Sequence, residues 1–452
     1  MPGVWRRDQV AGQSRAVLIS RLQQLGPVSG GALARLAADS SGVVLGTLAT
    51  VITARYLGPT DRGFLAAVSF TSAIAALVFT IGLGDASIVA IQRRELSISS
   101  VASTTYLAVL LASSIGAGAA LGAMWFQLRG DWDHVALSCL IVAATVPLSA
   151  VAQVMGQAMT ATGRAAATSF AAFVTGACST ALMATVLVGL DASLTAAAIV
   201  VGITSIVQLC IVWVCAGPVR PDFRSALQRR YLTESLPYGV QIMVSYLLVS
   251  LSTRLDLLIV LAIAQAADAG AYSVALTYGS LASYPALALA FAAFPRLAAD
   301  EDDPALLLRC IRLALLTGGS AALLLAAVAP VVVPGLFGSD YSSAVLPAML
   351  LLVGGAVFSG QYVLARGRAA LGDASLLVRS FSISVSVMAV GDLVLVPSMG
   401  ISGAALASVL GTSCGFVFCV LVYRHGGISA RLFLPRRADL ELVREVLARG
   451  KV

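Results

Sequence analysis

The sequence predicts an all-α polytopic membrane protein of about twelve transmembrane helices in two six-helix lobes. Three observations carry this expectation: composition, the placement of the arginines, and an internal repeat. Of 452 residues, 59% are apolar and 11% charged, with a mean hydropathy of +0.93, whereas a water-soluble domain carries about 25% charged residues. A membrane-spanning helix needs about 20 apolar residues, so the chain has room for about a dozen spans with short connections.

Cutting the chain at charge clusters and turn signals gives twelve apolar segments. They run roughly over 34–56, 63–89, 101–126, 135–160, 166–189, 194–216, 237–262, 269–294, 310–335, 342–364, 374–396 and 401–423. Residues 1–29 hold no apolar core followed by a small-residue cleavage site, so no signal peptide is expected there. Val17, Leu18, Leu22 and Leu25 recur at helical spacing among arginines, the pattern of a helix lying on a membrane surface. In the tail, Leu440, Val443 and Leu447 share a face of a second short basic helix.

The basic residues assign the sides. Of 29 Lys and Arg, 25 fall in the tails and in alternate gaps, three (Arg55, Arg62 and Arg129) fall in the other gaps, and Arg254 lies within a span. That bias places both termini in the cytoplasm of a multi-pass protein of the cell membrane.

The halves repeat. ITARYLGPTDRGFLAAVSF, from Ile52, aligns with IVLAIAQAADAGAYSVALTY, from Ile259, matching Asp61 to Asp268 and Gly63 to Gly270 at an offset of 207. QVMGQAMTATGRAAATSF, from Gln153, aligns with YVLARGRAALGDASLLVRSF, from Tyr362, matching Gly163 to Gly372 and Phe170 to Phe381. Six spans per repeat is an even number, so both halves enter the membrane from the same side. They are expected to be related by a pseudo-twofold along the membrane normal. The organisation is then a cytoplasmic segment 1–29, an N-lobe 30–216, a basic linker 217–233, a C-lobe 234–423 and a basic cytoplasmic tail 424–452.

Several function classes are excluded. The +7 net charge comes without a basic face interleaved with aromatics, so no nucleic-acid partner is expected. The seven cysteines lack metal-ligand spacing, His134 and His425 lie far apart at loops or tails, and the run Asp300–Asp303 reads as a solvated turn. No metal, cofactor or disulfide is expected.

Four motifs in order resemble the polysaccharide-transporter branch of the flippase superfamily that also contains multidrug extruders and peptidoglycan-precursor flippases. ARYLGPTDRG (54–63) with IGLGDAS (81–87) resembles that family's first two helices, and TRLDLLIVLAIAQAADAGAYSVA (253–275) its seventh and eighth. FPRLA (294–298) resembles the close of the eighth, and VPSMGISGAALASVLG (396–411) the last hairpin. Two departures stand out: Gln265–Ala267 replaces the turn polarity of the first repeat, and twelve spans differ from the fourteen of the peptidoglycan-precursor relatives. The resemblance implies a flippase carrying an oligosaccharide on a polyprenyl (pyro)phosphate from the cytoplasmic to the outer leaflet. Its partners would be that lipid-linked oligosaccharide, membrane lipids and polysaccharide assembly proteins.

Such a protein must shelter a polar, anionic headgroup, and ionisable residues inside spans cost several kcal/mol unless they face a wet cavity. Arg254 is therefore the first candidate, either lining the cavity and meeting phosphate bidentately or bridging to another helix. Asp256, two positions on, points elsewhere and suits interhelical bonding or cation coupling. Arg35 and Asp39 can pair along one helical face, as an interfacial pair or as a contact for the entering headgroup. Ser40, Ser41, Thr47 and Thr50 add hydroxyls to that helix. Gln153 and Gln157, one turn apart, can face sugar hydroxyls or bond within the bundle. Gly42/Gly46, Gly118/Gly122 and Gly411/Gly415 have the spacing of helix-packing glycines, and Asp85 and Asp392 lie near span ends as capping or interfacial acids.

Two rivals follow. A cation-coupled multidrug extruder of the same superfamily would carry buried acids mid-span. A polytopic enzyme on lipid-linked sugars would need paired carboxylates or a base in a substantial loop, and the outer gaps are short with only Asp131 and Asp133 close together. No enzyme is expected.

Overall fold

The computed structural model describes residues 30–93, 97–189, 193–221, 228–284, 287, 304–370 and 373–426, without the side chains at 30–40, 92–93, 218, 304–306 and 370. Among the described residues there are twelve α-helices and no strand. They are α1 (Gly30–Phe79), α2 (Leu83–Arg93), α3 (Ile98–Gln127), α4 (Trp132–Ala161), α5 (Ala165–Gly189) and α6 (Leu194–Cys215). These are followed by α7 (Arg229–Ile263), α8 (Ala266–Ser280), α9 (Pro304–Phe337), α10 (Val345–Ala370), α11 (Ser375–Met399) and α12 (Ile401–His425).

Ten helices among the described residues are long and apolar enough to cross a membrane. Eleven of the twelve expected spans map onto these ten because α1 carries two, divided by a corner at Gly58 (φ 73°, ψ 175°) followed by Pro59. That backbone lies in a region essentially reserved for glycine, and Pro at the first helical position is pre-set to restart the helix. Span 8 is represented by α8, and its second half falls outside the described residues. The second span is not continuous either: Ile81 (φ 51°) and Gly82 (φ 61°) are left-handed and separate α1 from α2.

The helices are apolar on every side, as membrane helices are. Val331 and Leu323 of α9 are 77% and 75% exposed, Ile115 of α3 69%, surfaces that hydrocarbon rather than water would cover. At one end of α3, Trp125 and Phe126 are exposed under the Arg129 guanidinium, 4.7 and 4.3 Å from their ring centroids. Aromatic rings under a snorkelling cation are typical of the membrane–water boundary.

The described chain forms two compact units. One is built on Gly30–Val274 with Pro334–Tyr341, the other on Ala275–Val333 with the chain from Ser342 onward. The first has a core of Val146, Met155 and Met159 from α4 with Tyr106 of α3, Val200 of α6 and Tyr231 of α7. In the second, α12 packs on α10 and α11, where Gln361 Nε2 donates to Ser384 Oγ at 2.9 Å and Tyr423 donates to the Leu364 carbonyl at 3.1 Å.

The first unit runs past the 217–233 segment because α3 holds its two ends. Tyr106 donates to the Val219 carbonyl at 3.2 Å, the Gln228 amide donates to Thr104 Oγ1 at 3.2 Å, and Tyr231 pairs with Thr105 at 3.2 Å.

Two expectations are corrected. Of the three glycine pairs, Gly411 and Gly415 do pack, against the Ser384 carbonyl and against Ser384 Oγ and Gln361 Nε2, but a Cβ on Gly42, Gly46, Gly118 or Gly122 would meet open space. Small-residue spacing is common in apolar helices, and only the rotation of each helix decides whether a neighbour approaches. Asp392, expected near a span end as a capping or interfacial acid, is fully buried within α11.

Candidate functional site

Two of the hydroxyls assigned to the first span are spent within it. Thr47 and Thr50 each donate to the carbonyl four residues back at 2.9 Å, the usual way a helix satisfies a buried hydroxyl. The side chains of Arg35 and Asp39 lie outside the described residues. Gln153 is exposed on α4, while Gln157, one turn on, donates to Asp85 Oδ2 of α2 at 3.2 Å. Asp85, expected as a capping or interfacial acid near a span end, lies in the first turn of α2 and there serves as the partner of a glutamine on a neighbouring helix.

On α7, Arg254 and Asp256 part company, as a two-residue step around a helix requires. Asp256 is fully buried and accepts from Tyr272 of α8 at 2.5 Å and from the Leu257 amide at 2.9 Å. Its bond to Tyr272 ties α7 to α8. Arg254 faces the other way and is exposed. It lies nine residues before the end of α7 at Ile263, about 14 Å along the helix.

The residue that sequence reasoning missed is Arg62, counted as an outer-gap arginine. It sits one turn beyond the Gly58–Pro59 corner of α1, half-buried, with its Nε enclosed and unpartnered. Its sequence neighbour Asp61 makes no ion pair with it; Asp61 Oδ1 is instead met by His134 Nε2 at 2.9 Å. Among the described residues no carboxylate pairs with either Arg62 or Arg254.

The same end of α1 is strapped by the Pro334–Tyr341 segment. Arg55 donates through Nε to the Leu336 carbonyl at 2.6 Å and through its terminal nitrogen to the Gly335 carbonyl, and Tyr341 donates to the Ala54 carbonyl at 3.1 Å. Beside the corner lies a cleft of about 340 Å³ lined by Thr60, Phe64, Gln127, Asp131, Gln265 and Ala267, among others. Among the described residues no group of three or more His, Cys, Asp or Glu side chains could hold a metal ion.

Residues 31–299 match the family model described as polysaccharide biosynthesis protein. The chain belongs to that family. The fold agrees with transporters of the MOP superfamily. An inward-facing multidrug resistance MATE family transporter of that superfamily superposes with a TM-score of 0.73 at 16% identity, covering 89% of this chain and 98% of its own. The Vibrio cholerae MATE transporter VcmN superposes with a TM-score of 0.63 at 15% identity, over 91% of this chain and 97% of its own. A MOP superfamily transporter from Pyrococcus furiosus, described by a binding pocket of reverse polarity, gives 0.64 at 14% identity over 92% and 100%. No curated protein matches in sequence. This member of the polysaccharide biosynthesis family is thus a multi-pass membrane protein with the fold of a MOP transporter.

Proposed function

We propose that this protein is a flippase that carries a polyprenyl-(pyro)phosphate-linked oligosaccharide from the cytoplasmic to the outer leaflet by alternating access. The observation that carries the reading is that two arginines of membrane-spanning helices, Arg254 inside α7 and Arg62 with its Nε enclosed, have no carboxylate paired with them among the described residues. A sugar phosphate crossing an apolar layer must be compensated for the hydration it loses, and an unpaired guanidinium does so with a fork that fits phosphate oxygens. A cationic drug would meet repulsion there. In this reading the lobes are 30–216 and 234–423, joined by 217–233, both termini are cytoplasmic, and the Gly58 corner faces outward. Arg35, Asp39 and Gln153 remain proposed polar contacts along the path, whereas Gln157 and Asp256 serve the bundle through Asp85 and Tyr272.

A second reading rests on Asp392, a fully buried acid inside α11, the type of group a cation-coupled extruder uses. The experiment sets the two against each other. Arg254→Ala is expected to accumulate lipid-linked oligosaccharide in the inner leaflet at parental protein level, Arg254→Lys to restore part of the flux, and Asp392→Asn to leave drug sensitivity unchanged. Parental flipping by Arg254→Ala would remove the phosphate-binding role. A rise in drug sensitivity with Asp392→Asn would favour the extruder.

A further inference from the structure

The corner that opens the second span and its counterpart in the second repeat meet each other. A Cβ on Gly63 would overlap the Ala266 carbonyl oxygen and stand 2.9 Å from the Gly270 nitrogen. A Cβ on Gly270 would overlap the Pro59 carbonyl oxygen and stand 3.1 Å from the Gly63 nitrogen. With the offset of 207, Pro59 corresponds to Ala266 and Gly63 to Gly270, so each half of the contact is the image of the other. A self-complementary contact of this kind belongs on the axis relating two copies, as residues of a twofold interface do. The three heavy atoms nearest each of these Cβ positions are all backbone, so the centre of the contact can part and re-form without repacking rotamers.

Arg62 is the residue next to Gly63, and its Nε is enclosed without a hydrogen-bond partner. An enclosed guanidinium with no acid paired to it costs free energy unless an anion lies with it. We propose that the Gly63–Gly270 crossing is the gate closing the outward end of the translocation path, and that an anionic phosphate group held at Arg62 favours its closed state. The gate stands on the glycine geometry; its coupling to phosphate rests on the flippase reading above.

The test uses the full chain with its seven native cysteines replaced and the pair Thr60→Cys and Ala267→Cys, two positions that line the cleft beside the crossing. A short bifunctional thiol reagent is expected to join them and to stop transport of lipid-linked oligosaccharide in proteoliposomes, with recovery on reduction. Gly63→Ala and Gly270→Ala are each expected to lower the cross-linking yield at least fivefold, whereas Gly118→Ala, whose Cβ meets open space, leaves it unchanged. Transport that survives the cross-link overturns the gate, as do glycine variants that cross-link at the parental yield. Should a glycine variant fail to accumulate, the cross-link and its reduction in the glycine-bearing chain decide alone. Inorganic pyrophosphate is expected to raise the yield over sulfate at equal ionic strength, and Arg62→Ala to abolish that rise. A flat response overturns the coupling and leaves the gate in place, while failure of the Arg254→Ala flipping test strikes the flippase reading independently of either.

Discussion

The two corners of the repeat reach one geometry by different chemistry. In the first, Gly58 turns the chain with a positive φ and Pro59 restarts the helix, leaving Asp61 free to bind His134 across to α4. In the second, the equivalent of Gly58 is Gln265, the backbone turns through an extended Ala264, and Asp268 folds back to accept the Gln265 amide at 3.4 Å, part of a capping box. The acids correspond in sequence and do different work, one between helices and one at a helix start. The glycines at 63 and 270 do the same work, because each receives the other strand's carbonyl oxygen. Turn residues can be replaced by other turn residues, but a backbone crossing admits only a residue without a side chain.

The sharpest way to break the comparison is a double-mutant cycle at the crossing. Gly63→Ala and Gly270→Ala should each cost about 1–3 kcal/mol, the range for a side chain forced into a filled contact. The double variant should cost much less than their sum, since the first methyl already separates the helices. Thermal unfolding in detergent measures this, and strict additivity would mean that the two glycines do not share one contact.

The next effect separates the corners. Gly58→Ala places a methyl where φ is 73° and ψ 175°, which should cost on the order of 1–3 kcal/mol. Gln265→Ala removes only side-chain contacts and should fall within about 0.5 kcal/mol of the parent. Equal losses of melting temperature at the two positions would show that the second corner is as strained as the first.

The smallest effect belongs to the other end of the repeat, where Arg164 follows Gly163 in the first half and Asp373 follows Gly372 in the second. Asp373 accepts from the Ser375 hydroxyl at 2.6 Å and from Arg368 Nε at 2.8 Å. These bonds, the Ser375 hydroxyl foremost, hold its carboxyl below the ordinary value of 3.8. A carboxylate with a depressed folded pKa stabilises fully above its unfolded pKa, and the stabilisation disappears as pH falls through the lower folded pKa. With its side chains 38% and 42% exposed, the pair is open to solvent screening and should contribute about 0.2–1 kcal/mol. The melting temperature of Asp373→Asn should therefore lie slightly below the parent at neutral pH and converge with it at pH values below the folded pKa. A gap that persists in acid would assign the loss to the hydrogen bonds of the neutral group.

What the linear chain determined was everything carried by short-range pattern. Hydropathy summed over about 20 residues marks a span wherever it lies, so the helix count and the all-α class were legible. So were the repeat and its glycines, because duplication leaves residues at a constant offset. Arg254 stood out for the same local reason, a charge amid leucines. Tertiary structure decided which face each helix turns to which neighbour. Nothing in the sequence distinguishes Gly118, which faces open space, from Gly411, which receives the Ser384 carbonyl. Nor could it show that Arg62, counted with the outer-gap arginines, ends with its Nε enclosed and unpartnered. A helix repeats every 3.6 residues, so small differences in rotation and crossing, accumulated across several helices, fix these contacts, and they exist only once the bundle has packed.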